Sequence, residues 1–69
     1  MVDLERLEKE IEKLKIAKRD LAKKAGVSES SLYRKLNGES KFYCEEVKRI
    51  ICAIGMDRTT AIEIFFKEE

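Results

Sequence analysis

The 69-residue chain has no histidine, no proline and no tryptophan, and it holds only three glycines and two cysteines. Without histidine, the commonest general base and metal ligand is missing. No glycine-rich phosphate loop occurs. The carboxylates stand mostly among lysines at helical spacing, the ordinary arrangement of a solvated face. These absences argue against an enzyme, and no cofactor, metal site or small-molecule substrate is expected. Cys44 and Cys52 fall on one predicted helix. A rise of about 1.5 Å per residue separates them by roughly 12 Å, beyond the reach of a disulfide. Free thiols with a packing role in a reducing compartment are expected. Two thiols two turns apart make no metal site without further ligands. No apolar run approaches the roughly 18 residues of a membrane span, and no signal-peptide pattern is visible. The cytoplasm is the expected location.

The absence of proline and the 7% aromatic content sit beside 42% charged residues, mostly good helix formers. That composition favours an all-α fold over a sheet. A hydrophobic fraction of 43% suits a globular chain. At this length one domain spanning residues 1–69 is expected, with a lean core, since only about 60% of the unfolded surface is buried on folding. The formal net charge is +1, so no global charge argument points to a polyanion. Residues 1–12, 13–41 and 42–69 nevertheless carry −3, +6 and −2. The basic central third reads either as a polyanion-facing surface or as a solvated helical face.

Leu4, Leu7, Ile11 and Leu14 are spaced 3, 4 and 3 apart and predict a helix over 3–14, with Asp3 at its start. The stripe is too short for a coiled coil, so a core-facing helix is expected. Lys15-Ile16-Ala17 is a connection. A second helix is predicted over 18–25, with Leu21, Ala22 and Ala25 on one side. Gly26 ends it and Val27 anchors the turn. Ser28 is a natural N-cap for a third helix over 29–36, whose inward residues are Leu32 and Leu36. Asn37-Gly38 terminates it, and Glu39-Ser40-Lys41 forms a loop. Val47, Ile50, Ile51 and Ile54 give the most regular apolar face, on a fourth helix over 43–54, with Phe42 as a staple beneath its start. Asp57 or Thr59 caps a fifth helix over 58–66, where Ala61, Ile62, Phe65 and Phe66 are apolar. Adjacent helical positions point about 100° apart, so one phenylalanine is expected in the core and the other exposed, available for dimerisation.

The run from Asp20 to Leu32 therefore reads as a helix, a glycine-centred turn and the start of a second helix, with small Ala22 and Gly26 permitting close approach. This is a helix-turn-helix, which places its second helix in the DNA major groove. Side chains at the start of the third helix, facing away from Leu32 and Leu36, are then candidates for base reading: Glu29, Ser30, Tyr33 and Arg34. Arg34 suits a bidentate guanine contact, and Glu29 can accept from a cytosine amino group. Other readings stand beside these. Glu29 can serve only the helix dipole, Tyr33 can cover the core edge, and Arg34 can be merely solvated. Lys15, Lys18, Arg19, Lys23, Lys35 and Lys41 are read as exposed cations for phosphate. Backbone N–H groups at the starts of the second and third helices, the latter capped by Ser28, are further phosphate donors.

Leu21-Ala22-Lys23-Lys24-Ala25-Gly26-Val27-Ser28, then Ser31-Leu32, then Lys35-Leu36-Asn37-Gly38, resemble the phage repressor and Cro family of helix-turn-helix proteins, also called XRE-like. The similarity extends over residues 4–66 and through Ile62-Glu63-Ile64-Phe65-Phe66. It implies a compact five-helix, lambda-repressor-like DNA-binding domain with the helix-turn-helix in helices two and three. It further implies a homodimer on near-palindromic double-stranded operator DNA, usually repressing transcription for phages or mobile elements. Base-reading positions implied by the resemblance are Glu29, Ser30 and Arg34. Lys18 would support a phosphate or neighbouring contact, and the loop after the third helix would bring Asn37 and Lys41 to the backbone. The sequence departs from the family pattern in two places. An acid stands at Glu29, where amides or threonine are common. Lys35 stands where an apolar residue is common, and Leu36 is expected to take the buried role. With no further domain after the fifth helix, a minimal regulator is expected. Glu29 and the near-zero net charge motivate the alternative, a protein-interaction module or antirepressor that retains the fold without binding DNA.

Overall fold

The computed structural model describes residues 1–67 and contains α1 (Leu4–Leu14), α2 (Lys18–Ala25), α3 (Glu29–Leu36), α4 (Cys44–Ile54) and α5 (Arg58–Phe65), with no strand among the described residues. The expected boundaries hold to within one residue. Asp3 caps α1, as expected, whereas Tyr43 and Phe66, each placed inside a helix by the sequence reading, are caps instead.

The caps explain where the helices start. Asp3 accepts from the backbone N–H of Arg6 at 3.2 Å, and Asp57 accepts from that of Thr60 at 3.2 Å. Each satisfies an N–H that the helix itself leaves unpaired. Of the two cap candidates for α5, Asp57 takes the role. At α4 the Glu46 carboxylate accepts from the backbone N–H of Tyr43 at 2.9 Å, the reach-back half of a capping box. α1 ends on Lys15, whose φ of 56° is left-handed without being glycine.

Leu7, Ile11, Leu21, Leu32, Ile50 and Ile64 are the largest fully buried side chains, and Ala22, Ala25, Leu36, Val47, Ile54 and Phe65 complete the cluster. α2 packs against both α3 and α4, and α1 packs against α5. The smallness of Ala22 and Ala25 lets α2 lie close to both neighbours. Arg6 and Glu63 pair across α1 and α5 at 2.6 Å. The backbone N–H of Asp3 donates to the carbonyl of Ile64 at 2.6 Å, so the segment before α1 runs along the end of α5.

Several expectations are corrected. Lys35 is not an exposed cation: it is 5% exposed and belongs to the buried face of α3 with Leu32 and Leu36, since positions three and four residues after Leu32 share its face. Leu36 is buried as expected, so both residues face inward. On α5 the buried set is Ala61, Ile64 and Phe65, again at three- and four-residue spacing. Ile62 and Phe66 form a second face, 49% and 61% exposed. Leu14, in the last turn of α1, stays exposed beside Ile54 and Met56. Cys44 and Cys52 are free, as expected, but exposed on α4 rather than packed. Phe42 is half-buried and meets Phe65 edge-on, with ring centroids 5.9 Å apart.

The helix ends set two expectations for stability. Lys15→Gly is expected to stabilise the fold by about 0.5–1 kcal/mol, because the left-handed conformation costs a side chain more than glycine's extra chain entropy. A urea titration checks it. Hydrogen bonds from the Arg6 N–H onto Asp3, and from the Thr60 hydroxyl and N–H onto Asp57, hold both carboxyls below their ordinary 3.8. A lowered folded-state value contributes stability that is present above the unfolded value and lost as pH falls through the folded one. The denaturation midpoint is therefore expected to drop as pH falls below about 4. Asp3→Asn/Asp57→Asn, which keeps capping acceptors, is expected to flatten that drop.

Candidate nucleic-acid interface

The turn between α2 and α3 is built around Gly26, whose φ is 79°. Its backbone N–H donates to the Lys23 carbonyl at 3.3 Å, and that of Val27 donates to the Ala22 carbonyl at 3.0 Å, closing α2. Arg49 reaches from α4 and donates through Nη1 to the Ala25 carbonyl at 3.4 Å, over the place where a Gly26 side chain would stand. Val27 packs against the core, half-buried. Ser28 then accepts from the backbone N–H of Ser31 at 3.1 Å and starts α3. Its hydroxyl also lies 3.4 Å from that of Ser30.

The first two turns of α3 present Glu29, Ser30, Tyr33 and Arg34 to solvent, opposite the buried Leu32, Lys35 and Leu36. Ser31 lies between the two faces, partly buried. Arg34 forms no ion pair among the described residues. Tyr33, 43% exposed, carries the Lys18 ammonium over its ring, 5.2 Å from the centroid. Lys18 is only partly free, because its Nζ lies 3.2 Å from Glu8 Oε2 on α1. Glu8, Lys18 and Tyr33 thus bring three helices together at one edge of the face. Arg19, Asn37 and Lys41 are exposed, as are Lys15 and Lys23.

A family model for the Cro/C1-type helix-turn-helix DNA-binding domain matches residues 6–64. The chain belongs to that family. No curated protein and no solved structure matches it. In this Cro/C1-type chain, α2 and α3 are the helix-turn-helix, and DNA binding is the activity of the domain type. No helix of the described residues is long and apolar enough to cross a membrane.

Glu8, Glu46 and Arg49 were not singled out by sequence reasoning. Glu8 and Arg49 act on other helices, so no local spacing marks them; Glu46 stands three residues after Tyr43, a capping-box spacing, but its pairing with Lys35 on α3 has no local signal. Lys35 did carry a signal, its place three residues after Leu32. Gly26→Ala is expected to destabilise the fold by about 1–2 kcal/mol, since left-handed backbone is unfavourable for a residue with a side chain. It also places a Cβ 2.5 Å from Arg49 Nη1, so Arg49 must leave the Ala25 carbonyl. A shifted urea midpoint with native helix content at low denaturant checks it.

Proposed function

We propose that residues 1–69 form one sequence-specific double-stranded DNA reader that regulates transcription as a repressor of the phage or mobile-element type. The observation that carries this reading is the exposed start of α3, where Glu29, Ser30, Tyr33 and Arg34 stand together opposite a buried face. Set in the major groove, Arg34 suits guanine, Ser30 suits several base edges, Glu29 suits a cytosine amino group, and Tyr33 meets a thymine methyl or a phosphate. Lys18 over the Tyr33 ring, the α3 caps Ser28 and Asn37, Lys41 beside Lys35 and the exposed Arg19 supply phosphate contacts, which position the protein without reading sequence. Ser28 uses an oxygen lone pair as the cap, which leaves its hydroxyl proton for Ser30 or a phosphate. Lys18 must exchange Glu8 for phosphate to take part.

The exposed Phe66, which with Val2, Phe42, Val47, Ile51, Phe65, Cys44 and Lys48 lines a groove of about 350 Å³, and the exposed Ile62 one turn before it support a homodimer through α5. Two α3 helices about 34 Å apart would then face a near-palindromic site. A second reading, a protein-interaction module or antirepressor, is favoured by Glu29 standing exposed at the tip of α3, where it repels phosphate.

Selection from a random duplex pool is expected to return a near-palindromic sequence, bound with strong salt dependence; no binding at low ionic strength favours the second reading. Arg34→Ala is expected to cost about 1–3 kcal/mol on the selected site and to relax base preference. Lys41→Ala is expected to weaken every sequence alike and to lower the salt slope by about one. Equal losses for Arg34→Ala on selected and random duplexes would remove it from base reading.

A further inference from the structure

Lys35 is a buried charge for which base reading has no use. Its side chain is 6% exposed, and that of its partner Glu46 is 14% exposed. The Lys35 ammonium lies 3.1 Å from Glu46 Oε1 and donates to the Lys41 carbonyl at 2.8 Å. It also sits 4.9 Å from the centroid of the Tyr43 ring. The same Glu46 oxygen accepts from the backbone N–H of Tyr43. One ammonium on α3 therefore grips both the segment between α3 and α4, at Lys41, and the first turn of α4, at Glu46. Residues 38–41 of that segment are exposed. Their backbone ties otherwise lie at the near end, where Gly38 and Glu39 donate to the carbonyls of Lys35 and Arg34 at 3.2 and 2.8 Å.

We propose that Lys35 and Glu46 are positioning residues that hold the α3–α4 segment in place so that its phosphate contacts are formed before DNA arrives. A buried ion pair is weak evidence for a gain in stability, because apolar side chains of similar size commonly hold a core as well. Its distinctive property here is direction. The three ammonium donors aim at a carboxylate and a carbonyl, and an apolar side chain would leave Lys41 unheld. A segment that must be ordered on binding loses part of its contact energy to that ordering. The segment is fixed to α3 itself, so the phosphate contact at Lys41 keeps a constant register with the reading residues Tyr33 and Arg34. The proposal rests on DNA binding as given above and on Lys41 as a phosphate contact.

The test is the double exchange Lys35→Met/Glu46→Gln. It leaves no unpaired charge in the core, and the introduced amide can still accept from the Tyr43 N–H. Unchanged helical circular dichroism and a cooperative melt establish that the variant folds; Lys35→Met alone serves as a second variant. The expected result has three parts. Amide hydrogen exchange accelerates at residues 38–43 of the free protein and not in α2 or the first turn of α3. Affinity falls about tenfold on selected and random duplexes alike, with the salt slope lower by about one and base preference unchanged. In a Lys41→Ala background, the double exchange costs much less, since the contact it positions is already gone. Unchanged exchange at 38–43, an unchanged salt slope, or losses that simply add to those of Lys41→Ala would each overturn the positioning role. Absence of salt-dependent binding by the unaltered chain would overturn the DNA reading, and the role with it; the amide exchange still reports whether the tie orders the segment.

Discussion

The packing of α2 between α3 and α4 is the constraint on which the molecule depends. α2 has only eight residues, and three of them, Leu21, Ala22 and Ala25, are buried. An isolated helix of that length is not stable in water, so its neighbours hold it. The alanines set the distances and Gly26 sets the turn. Together they fix the direction in which α3 leaves, and hence which of its side chains meet solvent. Arg49 ties the same turn to α4 through the Ala25 carbonyl. The exposed face of α3 is thus a consequence of how a short, small-residue helix is clamped.

Electrostatics adds a second layer to that frame. The basic centre of the chain does not become a uniformly basic surface. Lys35 is drawn inside, and Lys18 is shared between Glu8 and the Tyr33 ring. Arg19, Arg34 and Lys41 remain exposed. A few cations held in fixed positions serve a polyanion better than diffuse positive charge, because they offer both affinity and register. The acidic α1 and its cap supply the counterweight, through Glu8 to α2 and through Asp3 to Lys67. Those pairs are partly exposed, so their worth lies in orientation more than in stability.

Much of this was legible in the chain itself. The apolar spacing of α1 to α4, the cap residues Asp3, Ser28 and Asp57, and the turn at Gly26 are local signals, and they placed all five helices to within a residue. The exposed face of α3 was legible because its complement, Leu32 and Leu36, is apolar. Lys35 broke that logic. A binary reading of apolar and polar residues assigns lysine to solvent, and only a carboxylate brought in from α4 makes its burial tolerable. The burial of Ile64 rather than Ile62 was not legible for a related reason: on a short helix with apolar residues on two faces, periodicity does not say which face the neighbours cover.

The sequence by itself determined the helices, their ends, the helix-turn-helix and the residues at the start of its second helix. These depend on interactions within about four residues, where backbone geometry leaves few alternatives. The tertiary structure alone decided which charges are free. Whether a lysine faces solvent, a carboxylate or a carbonyl depends on residues brought from elsewhere in the chain, as Glu8 is to Lys18 and Glu46 to Lys35. The exposed face of α3 was written locally; the set of cations left in solvent was settled by packing.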